Sequence, residues 1–326
     1  IPCELIDRNG DNLKAIVLRL ANEWALGSAF IAWLENANYF ANTLVDRIVT
    51  GYPKDEIEAL QKELGYVDQA LVTSEIFHLW VIELDQKVQH ELPFEKAGLN
   101  VIFTDNMEPY RTRKVRILNG AHTMTVPVAY LYGLDTVKEC VDDACIASFL
   151  KTGLFEEIIP TLDLPHDELS QYANDVIERF TNPFIKHLLM SISLNAISKF
   201  KTRVLPSFFE YINRKGCLPK HLSFSLAALI AFYKGTDIQN GELIGSRNGV
   251  VYNIKDDAEV LAFFKGVWQA CDGTKAGIDT LTKTVLAQKT WWDNHDLNEI
   301  EGLTNYVSEA LYTIVNEGMQ KAILGV

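Results

Sequence analysis

The chain has 326 residues, 48% of them hydrophobic, and a formal net charge of −13. That length supports a large core spread over more than one domain, while the negative charge argues against nucleic acid or an anionic membrane as partner and demands a locally basic pocket for any anionic ligand. Five cysteines (Cys3, Cys140, Cys145, Cys217, Cys271) lack CxxC spacing, which points to free thiols in a reducing cytoplasm, and neither a signal peptide nor an apolar run of the ~20 residues that span a bilayer is visible.

The chain opens Ile1-Pro2-Cys3-Glu4-Leu5-Ile6 without an initiator Met. It reads as the end of a buried strand, so a preceding part of the protein is expected outside this chain. Asp7-Arg8-Asn9-Gly10-Asp11 supplies turn and cap chemistry, and Leu13, Ile16, Val17, Leu20 and Trp24 follow at helical spacing. Residues 28–40 form an apolar, aromatic stretch. A strand-like run then ends in Asp46-Arg47, a pair suited to orienting an amide or a ribose hydroxyl, or to a structural ion pair. Residues 54–64 read as a solvated amphipathic helix, and residues 75–83 and 99–105 as strands. His78, in the first of these, reads as a satisfied histidine more than as a catalyst.

From about residue 111 the pattern is helical. Helices are expected at 111–132, 135–150, 167–180, 183–200, 205–213, 221–233, 256–271, 274–289 and 297–323, punctuated by residues such as Gly153, Pro165, Pro183 and Gly216. The fold class is therefore mainly α: a mixed α/β part over 1–110, then a multi-helical all-α domain over 111–326. No metal-ligand constellation stands out. His295 beside Asp293 and Asp296 reads as a cap or surface turn.

The densest chemistry lies in Lys114-Val-Arg-Ile-Leu-Asn119-Gly-Ala-His122. At about 100° per residue, Asn119 and His122 stand roughly 60° apart on a helix, and Lys114 and His122 roughly 80°. All three can reach one cleft. A lysine amine that loses hydration there becomes a proton acceptor. An Asn N–H can hold an oxyanion, and a His can orient a hydroxyl. Gly120 permits a close approach by backbone or ligand. A solvated Lys, a capping Asn and a core-edge His on an ordinary helix would give the same spacing.

This stretch, with Pro109-Tyr110 before it and Thr123 after it, resembles the signature of the long-chain mannitol dehydrogenase family. Further segments resemble the family over nearly the whole chain: Asn9-Gly10, Val45-Asp46-Arg47-Ile48, the Glu75–Glu83 run, and Arg179-Phe-Thr-Asn182-Pro183 through Ser191-Ile-Ser-Leu-Asn195 to Lys199, Lys201 and Arg203.

The resemblance implies that residues 1–110 are the C-terminal part of an NAD-binding domain and 111–326 the substrate domain. It implies a metal-independent hydride transfer with Lys114 as acid/base, Asn9 and Asn119 on the reacting oxygen, and His122 on a substrate hydroxyl. It places Lys199, with Asn195 as its i, i+4 neighbour, and Arg203 at the substrate, and Asp46 and Asn9 near the nicotinamide. No G-x-G-x-x-G turn occurs; Gly241, Gly245 and Gly249 have the wrong spacing. The family's fingerprint lies ahead of the segment where this chain starts.

Two departures favour a sugar acid over a neutral polyol. Arg111 stands where polyol-oxidising members have an acid, and Ser191 where they have an arginine. The expected reaction is interconversion of tagaturonate and altronate. The alternatives are fructuronate reduction, polyol oxidation, or a non-catalytic helical interaction module. Oligomeric state is not readable from the sequence.

Overall fold

The computed structural model describes residues 1–4 and 6–326, apart from the side chains at 86, 87 and 95. Leu5, inside the expected terminal strand segment, lies outside the described residues. The chain divides into two compact units, Ile1–Lys114 and Val115–Val326. No helix among the described residues is long and apolar enough to cross a membrane.

The first unit contains α1 (Asn9–Glu23), α2 (Ser28–Asn36), β1 (Asn42–Asp46), β2 (Val49–Gly51), α3 (Ile57–Leu64), β3 (Thr73–Ser74), β4 (Leu79–Glu83), α4 (Gln86–Gln89), β5 (Val101–Thr104) and α5 (Glu108–Arg113). Its main sheet runs β1-β4-β5, with β1 antiparallel and β5 parallel to β4. Alternate residues of β4 serve opposite faces. Ile82 packs with Ala41, Leu84, Trp80 and Phe103, while Leu79 and Val81 pack with Met107, Leu44 and Ile102. Burial on both sides explains the unbroken apolar run Leu79-Trp-Val-Ile82.

β4 begins at Leu79, not at residue 75, because the residues ahead of it have other work. Buried Glu75 accepts from Ile48 N at 2.6 Å, and His78 Nε2 accepts from Asn100 N at 3.0 Å. Gly10 lets α1 start against the entry to β1: a Cβ there would sit 2.3 Å from Ala41 O.

The second unit holds α6 (Gly120–Tyr132), α7 (Val137–Asp142), α8 (Ala144–Thr152), α9 (His166–Phe180), α10 (Leu189–Ile192), α11 (Ala196–Arg203), α12 (Leu205–Lys215), α13 (Lys220–Phe232), a sheet of β6 (Gly235–Gln239), β7 (Glu242–Arg247) and β8 (Val250–Ile254), then α14 (Ala258–Ala270), α15 (Lys275–Leu286), α16 (Leu303–Glu317) and α17 (Met319–Ala322). α13 is buried at every position from Leu222 to Phe232 and α6 from Gly120 to Tyr130. The two pack together, and α13 also packs on α16. A helix buried all round shows no apolar stripe, and this pair forms the centre of the unit.

Three expectations are corrected here. The helical domain is not purely α: residues 235–254 form an antiparallel meander, β6-β7-β8. Its turns are Asn240-Gly241 and Asn248-Gly249, all four at positive φ, the geometry that Asn-Gly supplies to two-residue hairpins. The helix expected over 135–150 breaks at Asp143, which turns extended and caps α8 by accepting from Cys145 N and Ile146 N. The helix expected over 183–200 is instead an irregular segment followed by α10 and α11. Pro183 removes an N–H and restrains Asn182, and Asn195 takes a left-handed φ of 52° just before α11.

Candidate active site

The helix that carries the central motif is not a plain α-helix. α5 continues into a π turn over Lys114–Asn119, and α6 follows directly. Closing i→i+5 turns the backbone less per residue than an α-helix does. Position i+5 then comes back toward the azimuth of i, where an α-helix would leave it about 140° away. The α-periodic spacing read from the sequence is thus corrected locally.

In the first unit the site residues gather on the edge of β1 opposite β4. Lys114 is only 8% exposed, and its Nζ donates to Val45 O at 2.5 Å. Two residues back on the strand, Thr43 N donates to Asn9 Oδ1 at 2.8 Å, and Asn9 Nδ2 lies 3.3 Å from Thr43 O and 3.2 Å from Glu4 O. A strand edge offers alternate N–H and C=O groups; here side chains take them up. Asn9 is 4% exposed and engaged at both ends of its amide, so it reaches an alkoxide only by giving up bonds to the strand.

Asp46, the last residue of β1, is 1% exposed. Arg47 turns away and donates to Glu75 O at 2.9 Å. Arg111 is not a spare cation: it pairs with Asp7 at 2.5 Å and with Glu108 at 3.7 Å. Its field is offset by two carboxylates.

In the second unit, buried His122 stacks on Phe180 with ring centroids 4.3 Å apart and meets His187 edge-on at 5.2 Å and 83°. Burial holds its pKa well below the usual imidazole range, with His187, Arg203, Arg179 and Lys199 pressing the same way. It is therefore neutral near pH 7, one nitrogen donating and the other accepting. Its Nε2 has no hydrogen-bond partner among the described residues, nor has His187 Nδ1.

Lys199, midway along α11, donates to Ile192 O at 2.8 Å. Burial and then Arg203 lower its pKa to about 8, against an opposing pull from Asp256. Burial likewise lowers that of Arg203. Neither the Arg203 guanidinium nor the Asn119 amide forms a hydrogen bond or ion pair among the described residues. The Arg203 carbonyl passes Gly120 so closely that a Cβ there would lie 3.2 Å away, which is the close approach the glycine permits. The structure thus brings His122, Lys199 and Arg203 together.

Two expected neighbours of that cluster stand apart. Asn195 precedes the first turn of α11, so it does not share a helical face with Lys199; what links the two is Lys199 N on Asn195 O at 3.1 Å. Lys201 is drawn off to Thr290 O and Asp293. The sequence reading missed His187. An imidazole between Arg179 and Lys199 was the available signal, and assigning residues 183–200 to one helix concealed it.

The description "Mannitol dehydrogenase Rossmann domain" belongs to a family model matching residues 1–96, and "Mannitol dehydrogenase C-terminal domain" to one matching residues 106–315. The chain belongs to the mannitol dehydrogenase family. It is 49% identical over 323 residues to altronate oxidoreductases of Escherichia coli O139:H28 (strain E24377A / ETEC) and of Shigella flexneri. Those alignments cover 99% of this chain and 65% of each relative, so the chain spans just under two-thirds of the length of the curated relatives it matches. Among solved structures of the family's fold, Pseudomonas fluorescens mannitol 2-dehydrogenase, in a ternary complex with NAD and D-mannitol, superposes with a TM-score of 0.73 at 23% identity. That match covers 98% of this chain and 60% of the other. A substrate-free D-sorbitol dehydrogenase gives 0.76 at 24% identity over 98% and 61%.

Proposed function

We propose that this chain carries the proton-transfer and substrate-binding machinery of an NAD-dependent oxidoreductase that interconverts tagaturonate and altronate. The observation that carries the reading is the company of His122: a buried neutral imidazole ringed by His187, Arg203, Arg179 and Lys199, in a chain of net charge −13. A local concentration of cations against the overall charge suits an anionic substrate. Likeness to altronate oxidoreductases at 49% identity supports the same substrate class.

In the oxidising direction the Lys114 amine takes the proton of the substrate's secondary hydroxyl; in the reducing direction the ammonium returns it to the carbonyl oxygen. The bond to Val45 O orients this amine. Asn119 offers an uncommitted N–H to the developing oxyanion, without changing charge. Asn9 acts one step back: by holding Thr43 it fixes the strand on which Val45 lies. His122 and Lys199 bind substrate hydroxyls, with Arg203 at the further end. Arg111 closes an ion-paired edge.

The residues present fit only the nicotinamide end of NAD. The buried carboxylate of Asp46 suits a carboxamide N–H or a ribose hydroxyl, and the sequence holds no G-x-G-x-x-G phosphate turn. Bound NAD supplies the hydride acceptor; every other role named here belongs to a side chain of this chain.

Assay of the complete protein on hexuronates, mannitol and fructose tests the reading. Preference for neutral polyols by ~100-fold in kcat/KM, a barrier difference of about 2.7 kcal/mol, would overturn the sugar-acid assignment.

A further inference from the structure

We propose that Asp256, seated by Tyr233 at the head of α11, is a positioning residue for Lys199: its carboxylate holds that amine as the cation the substrate meets. This rests on the dehydrogenase reading above, which assigns Lys199 to the substrate.

The cap of α11 comes from outside the helix. The first N–H groups of a helix have no partner within it. Asn195, left-handed just before α11, gives them no side-chain bond. Tyr233, the residue that ends α13, does so instead. Its buried phenol oxygen accepts from Ala196 N and Ile197 N and donates its own proton to Asp256 Oδ2. Ile197 N also lies 3.4 Å from Asp256 Oδ2, and Asp256 Oδ1 accepts from Asp257 N at 2.8 Å. Beside this cap, Asn195 N donates to Lys255 O at 3.1 Å. The segment after β8 is thus stitched to the entry of α11, one turn before Lys199, whose own N donates to Asn195 O at 3.1 Å.

The same carboxylate acts on the amine through its charge. Lys199 stands in the field of Arg203, one turn on along α11, of Asp256 after β8 and of His122 on α6. Buried His122 is neutral. Burial and Arg203 favour the free amine, and Asp256 opposes both. Lys255 is turned to Glu242 at 2.8 Å, away from the carboxylate next to it in sequence. Burial, then Asp256, hold the pKa of Tyr233 well above 10, so the phenol keeps its proton and Asp256 keeps its donor at any assay pH. The Lys199 ammonium offers three donors and a full charge to a sugar acid; the free amine offers no charge.

The test is Asp256→Asn in the full-length protein. It keeps an oxygen for Tyr233 and Ile197 and removes the charge. Half of the wild-type amine is charged at pH 8, where its pKa lies. Altronate affinity by calorimetry should therefore fall about 3- to 5-fold at pH 8 in the variant and barely change at pH 6. Asp256→Glu, which keeps the charge, should restore most of the wild-type pH course. A loss equal at both pH values, with a lowered melting temperature, is what a merely structural cap would give and would overturn the proposal.

Acetylation of Lys199 by acetic anhydride, followed by peptide mass spectrometry between pH 6 and 10, reads the free amine without any substrate. Its rise should set in at lower pH in Asp256→Asn than in the wild type; coincident curves would overturn the proposal. Wild-type protein that binds no altronate, while the acetylation curve still moves in the variant, would sink the sugar-acid dehydrogenase reading and leave the link between Asp256 and Lys199 standing.

Discussion

The pKa of Lys199 makes a sharp prediction about pH. Its ammonium is held at about 8, below the ordinary 10.5, chiefly by burial. A lysine is charged below its pKa, so the cation is about 90% present at pH 7 and about 10% at pH 9. If the charged form binds the sugar acid, altronate affinity should fall about tenfold over that interval, and further at pH 10. The carboxylate of altronate stays ionised throughout and adds no slope. Equilibrium titration of altronate by calorimetry reads binding alone, apart from the proton transfer of turnover.

Lys199→Arg should abolish the slope, because a guanidinium keeps its charge across the range. The same shift predicts stability with the opposite sign. The folded state holds the proton less well than the unfolded chain, so stability should rise as pH climbs from about 8 towards 10.5. A flat affinity between pH 7 and 9.5, or a slope that survives in Lys199→Arg, would refute the assignment of Lys199 to the substrate.

Three further outcomes are expected. Lys114→Ala should cut kcat by about 10²- to 10⁴-fold, with the circular dichroism of the wild type retained; retained activity would favour an interaction module, in which this helix is only structural. Gly10→Ala should destabilise the protein by about 3 kcal/mol or more, read from urea denaturation, because the new Cβ meets the Ala41 carbonyl carbon and oxygen at 2.4 and 2.3 Å, backbone atoms that cannot swing aside. Glu157→Gln should lower stability by about 1–3 kcal/mol, since buried Glu157 caps α13 by accepting from His221 N and Leu222 N, both at 2.9 Å; an unchanged melting point would show that the cap is dispensable.

The sequence by itself determined the local chemistry. Helical spacing predicts α1 and α9, the Leu79–Ile82 run marks a strand buried on both sides, and Lys114, Asn119 and His122 stand out as a set because their residue types suit one reaction. The meander was also legible in the two Asn-Gly turns eight residues apart, once these are read as hairpin signals and not as a failed phosphate loop.

Tertiary structure decided what the residues are free to do. Whether a cation is spare depends on who sits beside it, and partners distant in sequence leave no local trace. Arg111 is spent on Asp7 and Lys201 on Asp293, while Arg203 has no ion-pair partner among the described residues. Asn9 is occupied by Thr43, 34 residues away, and His78 by Asn100. The π turn at Lys114–Asn119 has no α-periodic signature, and the placing of His187 against His122 depends on an irregular stretch ahead of α10 that spacing alone reads as helix. Periodicity reports which face of a segment is buried; only the folded chain brings together groups far apart in sequence and leaves some of them without a counterpart.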